Sequence, residues 1–181
     1  MSNPRIAIIS DLWGFKNDQY INTYVKKLYN HFDLDLVDAQ VLADINPSNS
    51  EQELHAQFID SGINIAAERL VKSRIRFDAI VGFSVGGTIG WKAIQSGANI
   101  DSLFAISATR LRKETNALTK ETKLFYGQKE EFGPDTNWFE KLKIDHEIIQ
   151  NEGHQVYKSE SFMNNFCEEL IDKYSGKQSC S

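Results

Sequence analysis

A serine flanked by glycines is the part of this sequence best suited to chemistry. Ser84 is the centre of a G-x-S-x-G motif at residues 82–86, which follows an apolar run at 79–81 and precedes an apolar helical pattern. Glycine on both sides allows a strand and a helix to pass closely at a sharp turn, whose central residue has strained backbone geometry. The serine hydroxyl is then exposed at the tip, and the N–H of Val85 points at negative charge that develops on a bound substrate. The motif predicts a strand, a tight turn and a helix that present a nucleophile.

A histidine far along the chain is suited to activate that serine. A serine hydroxyl is a poor nucleophile near neutral pH, so it needs a base to remove its proton and a third group to orient the base. His154, preceded by Gly153, follows the last predicted strand and comes after Ser84 in the chain. The remaining histidines fall within or at the end of predicted helices and strands: His31, His55 and His146. We therefore predict that His154 is the base.

The elements that must position these two residues alternate between strands and helices. Apolar or alternating runs predict strands at about residues 5–10, 33–37, 79–81, 100–107, 122–126 and 144–149. Helical periodicity predicts helices at about residues 18–31, 51–73 and 158–174, one after the glycine-serine motif, and a short one that begins near Pro134. Ser50 and Glu53 form a capping box for the 51–73 helix, which Gly62 is expected to bend or divide. The alternation predicts an α/β fold: a mostly parallel sheet of about six strands with helices on both faces and sites at the C-terminal ends of strands.

Size and charge limit the classes of protein to which the chain can belong. With 181 residues and 41% hydrophobic content it can bury one core, so we expect a single domain at residues 1–174 and a disordered polar tail at 175–181. The formal net charge is −5 and the basic residues are scattered among acidic ones, which argues against nucleic-acid binding. We expect a small-molecule substrate instead.

Other features argue against membrane, disulfide and metal chemistry. The sequence has no apolar run of about eighteen residues, and its N-terminus lacks the apolar core of a signal peptide, so we expect a cytoplasmic protein with no membrane partner. Two cysteines do not make a disulfide framework or a metal site: Cys167 fits a buried helical position, and Cys180 lies in the polar tail. The predicted chemistry needs no cofactor.

The order of these features resembles that of a small α/β-hydrolase over nearly the whole chain, and one segment resembles the dienelactone hydrolase family. The D-L-W-G segment at residues 11–14 resembles the acid-aliphatic-aromatic-glycine segment that follows the first strand in that family. The glycine-histidine pair at 153–154, before an aromatic-rich helix, is also similar. The resemblance implies that the N–H groups of Leu12 and Val85 form the oxyanion hole. It also implies that Asp11 touches the resting nucleophile and modulates it.

The acid that orients the base should lie between the nucleophile and the base in the chain. Glu130 is the first candidate, because it lies three residues past Gly127, where many α/β-hydrolases carry aspartate in a G-x-x-D pattern. Glu131 and Asp135 are alternatives, although Asp135 is also expected to cap a helix. The chain departs from the dienelactone hydrolases, which carry cysteine and aspartate where it has Ser84 and Glu130. Ester or thioester hydrolysis is therefore a better expectation than dienelactone hydrolysis.

The surroundings of the site are predicted to be open. Residues 108–121, between the fourth and fifth predicted strands, are too few for the lid that larger relatives of the fold insert there. The loops themselves must then contact the substrate, and we expect these contacts from Asp11, Trp13, Phe15 and Arg110.

These expectations favour a serine hydrolase that cleaves a small carboxylic ester or thioester through an acyl-enzyme. Two alternatives stay open. The chain could be a weakly active or inactive binding or regulatory module, in which Arg110 and Arg112 hold an acidic ligand. It could also be an acyltransferase that uses the same three residues on an acceptor other than water.

Overall fold

A parallel sheet forms the centre of the structure, a computed structural model that describes residues 3–15 and 19–178, with side chains through residue 176. Its strands are β1 (Arg5–Ile9), β2 (Asp33–Val37), β3 (Ala79–Phe83), β4 (Ser102–Ile106), β5 (Glu121–Gly127) and β6 (Asp145–Ile149). Within the described residues the six strands lie in the order β2-β1-β3-β4-β5-β6, and every neighbouring pair is parallel. The predicted α/β class is confirmed, with a sheet that is wholly rather than mostly parallel.

Helices connect the strands and cover both faces of the sheet. They are α1 (Tyr20–Leu28), α2 (Ala39–Ala43), α3 (Glu51–Gln57), α4 (Ile63–Ser73), α5 (Val85–Gln95), α6 (Thr136–Leu142) and α7 (Glu160–Gln178). A π-helical turn (Phe58–Gly62) joins α3 to α4, and short 3-10 helices occupy Thr109–Lys113 and Val156–Lys158. In the part of the chain that the structure describes, no helix combines the length and the apolar character needed to cross a bilayer.

The C-terminal helix is longer than the sequence predicts. Helix α7 continues to Gln178, so residues 175–178 are helical where a disordered tail is expected. Residues 179–181, with Cys180, lie outside the described residues, as do residues 16–18 at the start of the first predicted helix.

Alternate residues of each central strand point into two separate hydrophobic clusters. In β1, the side chains of Ile6 and Ile8 pack in the cluster formed with α1 and α7, whereas Ala7 and Ile9 pack in the cluster formed with α4 and α5. All four are completely buried. The central strands therefore appear in the sequence as continuous apolar runs, because both of their faces are covered.

Helix α5 lies unusually close to the sheet because its inner face is made of small residues. An added Cβ at Gly87 would come within 2.8 Å of the Cβ of Ala105, and one at Gly90 would come within 2.9 Å of a methyl group of Leu103. The helix that follows the predicted nucleophile is thus held directly against β3 and β4.

The predicted 51–73 helix forms, but a π-helical turn divides it. Ser50 caps α3 as predicted, since its hydroxyl oxygen accepts a hydrogen bond from the N–H of Glu53 at 3.3 Å. Within the turn, the N–H of Ile63 donates to the carbonyl oxygen of Phe58, five residues earlier, rather than four. The turn ends at Gly62, so the predicted division is confirmed and has a definite form.

The close approach of α5 to β1 generates a prediction. Gly86→Ala is expected to lower the free energy of unfolding by about 1–3 kcal/mol through overpacking. Its added Cβ would lie 2.5 Å from the carbonyl oxygens of Ile9 and Ser10, and such backbone atoms have little freedom to move aside. Gly176→Ala, in α7, is the matched control: outside its own stretch of the helix, no atom lies within 4 Å of its added Cβ, and alanine favours a helix over glycine. Urea unfolding measures both variants, and unchanged stability of Gly86→Ala would contradict the packing argument.

Candidate active site

Ser84 forms the sharp turn between β3 and α5. Its backbone has φ 50° and ψ −113°, and strained geometry of this kind in a non-glycine residue costs about 1–3 kcal/mol. Two backbone hydrogen bonds hold the turn: the N–H of Ser84 donates to the carbonyl oxygen of Ile106 at 2.7 Å, and the N–H of Gly87 donates to the carbonyl oxygen of Ser84 at 3.2 Å. The residue is 9% exposed. The serine is therefore fixed in position, with only a small part of its surface reaching solvent.

The two glycines of the motif occupy spaces that no side chain could enter. A Cβ at Gly82 would lie 2.5 Å from the carbonyl carbon of Gly86, and one at Gly86 would lie 2.5 Å from the carbonyl oxygens of Ile9 and Ser10. Strand β3, helix α5 and the end of β1 thus meet backbone to backbone. This contact fixes the serine turn relative to the loop that follows β1.

Three side chains from different loops form a continuous chain of hydrogen bonds. The Oγ atom of Ser84 lies 3.1 Å from Nε2 of His154, and Nδ1 of His154 lies 2.5 Å from Oε2 of Glu130. The Glu130 side chain is 4% exposed and that of His154 is 41% exposed. A neutral His154 that donates its Nδ1 proton to Glu130 presents the lone pair of Nε2 to the serine hydroxyl. The structure brings together the three residues that the sequence predicts as nucleophile, base and acid.

The other two candidates for the acid have different positions. The carboxylate of Asp135 caps α6 by accepting a hydrogen bond from the N–H of Trp138 at 2.8 Å. Glu131 is exposed. Of the three carboxylates that the sequence leaves open, the one that contacts the base is Glu130.

Several groups keep Glu130 ionised. Burial raises its pKa, but hydrogen bonds from His154 and from the N–H of Phe132, with the positive charges of His154 and Arg112, outweigh burial and lower the pKa below its ordinary value. The N–H of Phe132 donates to Oε1 of Glu130 at 3.1 Å. The guanidinium of Arg112 donates to the carbonyl oxygens of Thr109 and Phe132, at 2.8 and 3.1 Å. Glu130 can therefore stabilise a positive charge that forms on the imidazole.

The loops that carry the acid and the base are joined through their backbones. The N–H of Lys129 donates to the carbonyl oxygen of Glu152 at 2.8 Å. Gly127 ends β5 where an added Cβ would lie 2.5 Å from that same carbonyl group. The glycine three residues before Glu130 thus permits the contact that holds Glu130 beside His154.

Asp11 is buried directly after β1 and anchors the segment that follows the base. Its Oδ2 atom accepts a hydrogen bond from the hydroxyl of Tyr157 at 2.9 Å, and its Oδ1 atom accepts one from the N–H of Trp13 at 2.9 Å. The ring of Tyr157 lies edge-on to that of His154, with centroids 6.4 Å apart. This anchoring role has no signal in the sequence. Contact of Asp11 with the resting nucleophile stays a prediction.

Leu12 and Val85 occupy positions suited to the predicted oxyanion hole. Both line the same cavity as Ser84. Val85 is the first residue of α5, so its N–H has no acceptor within the helix. Leu12 follows the end of β1, which contacts α5 at Gly86. The part of these two N–H groups in catalysis stays a prediction.

The cavity beside Ser84 is small, with a volume of about 40 Å³. One of its walls comes from α3, the π-helical turn and the start of α4, through His55, Phe58, Ile59 and Ile63. Since one water needs about 10–15 Å³, there is room for only a few groups of that size. A cavity of these dimensions fits a short acyl group.

Two residues that are predicted to contact the substrate do not line this cavity. Phe15 packs against the hydrophobic cluster on the α1 and α7 side of the sheet, and Trp13 is 39% exposed and is not part of the cavity wall. Gly14, the residue after Trp13, has a φ of 73°, and its N–H donates to the carbonyl oxygen of Asp11 at 3.2 Å, which closes a turn over residues 11–14. Contact of Trp13 and Phe15 with the substrate stays a prediction. The wall of this cavity contains His55 instead, a residue that the sequence assigns to a helix without a role.

Arg110, the remaining predicted substrate contact, does line the cavity. It therefore shares this cavity with Ser84, and its contact with the substrate stays a prediction.

The buried cysteine and the carboxylates elsewhere in the described residues form no second reactive cluster. Among the described residues, no three His, Cys, Asp or Glu side chains form a group that could hold a metal ion. Cys167 is buried as predicted, and burial raises the pKa of its thiol to about 12, so the thiol stays protonated.

The lowered pKa of Glu130 generates a prediction about stability. Glu130→Gln is expected to lower the free energy of unfolding at neutral pH by about 1–3 kcal/mol, because a buried hydrogen bond to a charged group becomes a weaker one. The pKa of Glu130 is lower in the folded protein than in the unfolded chain, where the pKa of glutamate is about 4.3. Its ionised carboxylate therefore stabilises the folded state fully at pH values above the unfolded-state pKa. This stabilisation is lost as pH falls through the folded-state pKa. The difference in the free energy of unfolding between the wild type and Glu130→Gln should therefore become smaller at acidic pH.

Denaturant unfolding at a series of pH values measures this difference. Glu131→Gln is the control, since the exposed carboxylate of Glu131 makes no contact with the base. A difference for Glu130→Gln that does not change with pH would contradict the assignment of its carboxylate as the ionised partner of His154.

Comparison with solved structures identifies the fold. Est1E from Butyrivibrio proteoclasticus, solved with ferulic acid bound, gives a TM-score of 0.66 at 12% identity and covers 99% of this chain and 91% of its own. A dienelactone hydrolase-like promiscuous phosphotriesterase from metagenomic libraries superposes with a TM-score of 0.65 at 12% identity. That alignment covers 97% of this chain and 87% of the phosphotriesterase. The RedJ thioesterase of Streptomyces coelicolor superposes with a TM-score of 0.61 at 10% identity. That alignment covers 94% of this chain and 85% of the thioesterase. No protein-family model and no curated protein sequence matches the chain. By its structure, the chain has a minimal α/β-hydrolase fold, similar to those of dienelactone hydrolase-like proteins and thioesterases.

Proposed function

We propose that this protein is a serine hydrolase that cleaves a small carboxylic ester or thioester through an acyl-enzyme. The observation that carries the proposal is the hydrogen-bonded chain from Ser84 through His154 to Glu130, at a strained turn beside a small cavity. Structural neighbours that include a thioesterase and a dienelactone hydrolase-like phosphotriesterase agree with hydrolytic chemistry. A glycine-rich turn with an idle serine would require none of these contacts.

In the first half-reaction, Nε2 of His154 accepts the proton of Ser84 while the serine Oγ attacks the carbonyl carbon of the substrate. The carbonyl oxygen gains a negative charge, which the N–H groups of Leu12 and Val85 and the positive end of α5 stabilise. The tetrahedral intermediate then collapses. The bond to the alcohol or thiol breaks, the leaving group takes the proton from His154, and the acyl group remains on Ser84.

In the second half-reaction, water releases the acyl group. The His154 side chain is 41% exposed, so water can reach the side of the imidazole from which the leaving group departs. His154 removes a proton from this water, whose oxygen attacks the acyl carbon, and collapse of the second intermediate breaks the bond to Ser84. The proton returns to the serine Oγ, and the carboxylic acid is released.

Glu130 stabilises the positive imidazole that forms in both half-reactions. Its carboxylate is buried and 2.5 Å from Nδ1 of His154, which places a negative charge in direct contact with the developing positive one. The same hydrogen bond selects the tautomer in which Nε2 faces Ser84. The lowered pKa of Glu130 keeps this negative charge in place at neutral pH.

The site fits small substrates. The connection between β4 and β5 contains only the short 3-10 helix Thr109–Lys113, which is too short to form a helical lid. An exposed base also allows an alcohol or thiol to replace water as the acyl acceptor, so acyl transfer is the second candidate function.

The hydrolase proposal is tested at the nucleophile. Ser84→Ala is expected to lower kcat/KM for a hydrolysed ester by about 10³-fold or more, because the hydroxyl carries the chemistry and little of the packing. A fluorophosphonate probe should label the wild type and the control Ser96→Ala, whose serine is exposed at the end of α5, but not Ser84→Ala. A folded Ser84→Ala protein that keeps its turnover would remove this serine from the mechanism. A wild-type protein that is neither labelled nor active on esters and thioesters would favour a binding module.

The small cavity predicts the preferred acyl length. We expect kcat/KM to rise over the first few acyl carbons and then level off or fall, because a methylene contributes about 0.8 kcal/mol only where it leaves water. Ile59→Ala should make the increase in kcat/KM with acyl length several-fold smaller, since Ile59 lines the cavity. Ile75→Ala is the matched control, because Ile75 has nearly the same exposure (36% against 39%) and lies outside the cavity.

A series of p-nitrophenyl esters of increasing acyl length measures this profile. A steady increase to acyl chains of about ten carbons would require a long buried tunnel and would contradict the small-substrate proposal.

A further inference from the structure

Arg110 is a cavity residue whose positive charge no group in the described residues balances. It lies in the 3-10 helix between β4 and β5, is partly buried, and lines the same cavity as Ser84. Within the described ranges it makes no hydrogen bond and no ion pair. A partly buried cation without a partner is unfavourable unless a ligand supplies the opposite charge.

The neighbouring basic residues lack this combination of position and availability. Arg112 donates to the carbonyl oxygens of Thr109 and Phe132, so its guanidinium is used within the protein. Lys113, the last residue of the same 3-10 helix, is exposed and does not line the cavity. Of the three basic residues in this 3-10 helix, Arg110 is therefore the one available to a ligand bound in the cavity.

A second hydrogen-bond donor lies on another wall of the cavity. His55 projects from the exposed side of α3 and lines the cavity, so an imidazole N–H is available to an anion there. The buried side chains of Phe58 and Ile63 line the cavity as well and make part of its surface apolar. The cavity thus combines an apolar surface for a short carbon chain with donors for a negatively charged end.

The position of the base indicates which half of the substrate enters this cavity. His154 gives its proton to the leaving group in the proposed mechanism, so the alcohol or thiol must lie on the side of the imidazole. His154 does not line the cavity, whereas Leu12 and Val85, the predicted donors to the carbonyl oxygen, do. The acyl half of the substrate therefore occupies the cavity.

We propose, resting on the hydrolase function above, that the acyl group carries a second carboxylate that binds Arg110. The substrate is then a monoester or monothioester of a short dicarboxylic acid. Its hydrolysis consumes one water and releases the dicarboxylate and an alcohol or thiol. A bidentate contact between a guanidinium and a carboxylate supplies both the attraction and the orientation.

The experiment compares two esters of equal length, monoethyl succinate and ethyl butyrate, which differ by a carboxylate in place of a methyl group. Hydrolysis is followed by titration of the released acid. The wild type is expected to prefer monoethyl succinate by about tenfold or more in kcat/KM, as a hydrogen bond to a charged group permits. Arg110→Gln should lower kcat/KM for monoethyl succinate by about 10- to 100-fold and so abolish most of the preference for monoethyl succinate over ethyl butyrate. Lys113→Gln, the matched control, should leave both values close to those of the wild type.

Binding of succinate, measured by calorimetry at low salt, separates this inference from the hydrolase proposal. Succinate should bind the wild type and Lys113→Gln but bind Arg110→Gln at least about tenfold more weakly. If neither ester is hydrolysed while succinate binding depends on Arg110, the hydrolase proposal fails and the anion site stands. If both esters are hydrolysed equally well, or Arg110→Gln slows both to the same extent, the anion site is overturned while hydrolysis stands.

Discussion

The backbone geometry of Ser84 is the constraint on which the rest of the site depends. A serine with φ 50° is held in a conformation that an isolated turn would leave, so the surrounding structure must supply the free energy that keeps it there. That free energy comes from close packing: Gly86 lies against the end of β1, and Gly87 lies against β4 at Ala105. Ser84 cannot shift without separating α5 from the sheet. The position of its hydroxyl is therefore a property of the whole core.

His154 and Glu130 depend on the same sheet through a different kind of contact. Their loops leave the ends of β6 and β5, and the backbone hydrogen bond between Lys129 and Glu152 joins them where β5 ends. The buried hydrogen bond between Asp11 and Tyr157 then ties the segment after His154 to the end of β1, the strand that also supports the serine turn. Hydrogen bonds between buried groups are strongly geometry-dependent, so these contacts limit how far the imidazole can move from the serine.

Much of the fold and the central contacts of the site could be predicted from the sequence, because each depends on local pattern or chain order. The strands of a sheet covered on both faces are apolar throughout, so they can be predicted from one sequence. The serine turn needs glycine at 82 and 86 for steric reasons that its spacing already shows. Glu130 lies three residues after Gly127 in the sequence. Glycine is needed there because the backbone of the loop that carries His154 contacts it at Glu152, where a side chain would not fit.

The cavity could not be predicted in the same way, because its wall depends on which elements meet in three dimensions. Periodicity in the 51–73 segment separates a buried from an exposed side, but a π-helical turn changes the register between α3 and α4, and its inserted residue has no distinct pattern. His55 and Ile59 therefore lie at the cavity although they are exposed positions of an ordinary amphipathic helix in the sequence. Trp13 and Phe15 do not line the cavity, because Phe15 packs on the α1 and α7 side of the sheet and Trp13 lies outside the cavity wall, and no local pattern in the sequence shows this. The positions of Ser84, His154 and Glu130 thus depend on local backbone geometry and chain order that the sequence pattern shows. The residues that line the cavity depend on long-range packing that the pattern does not show.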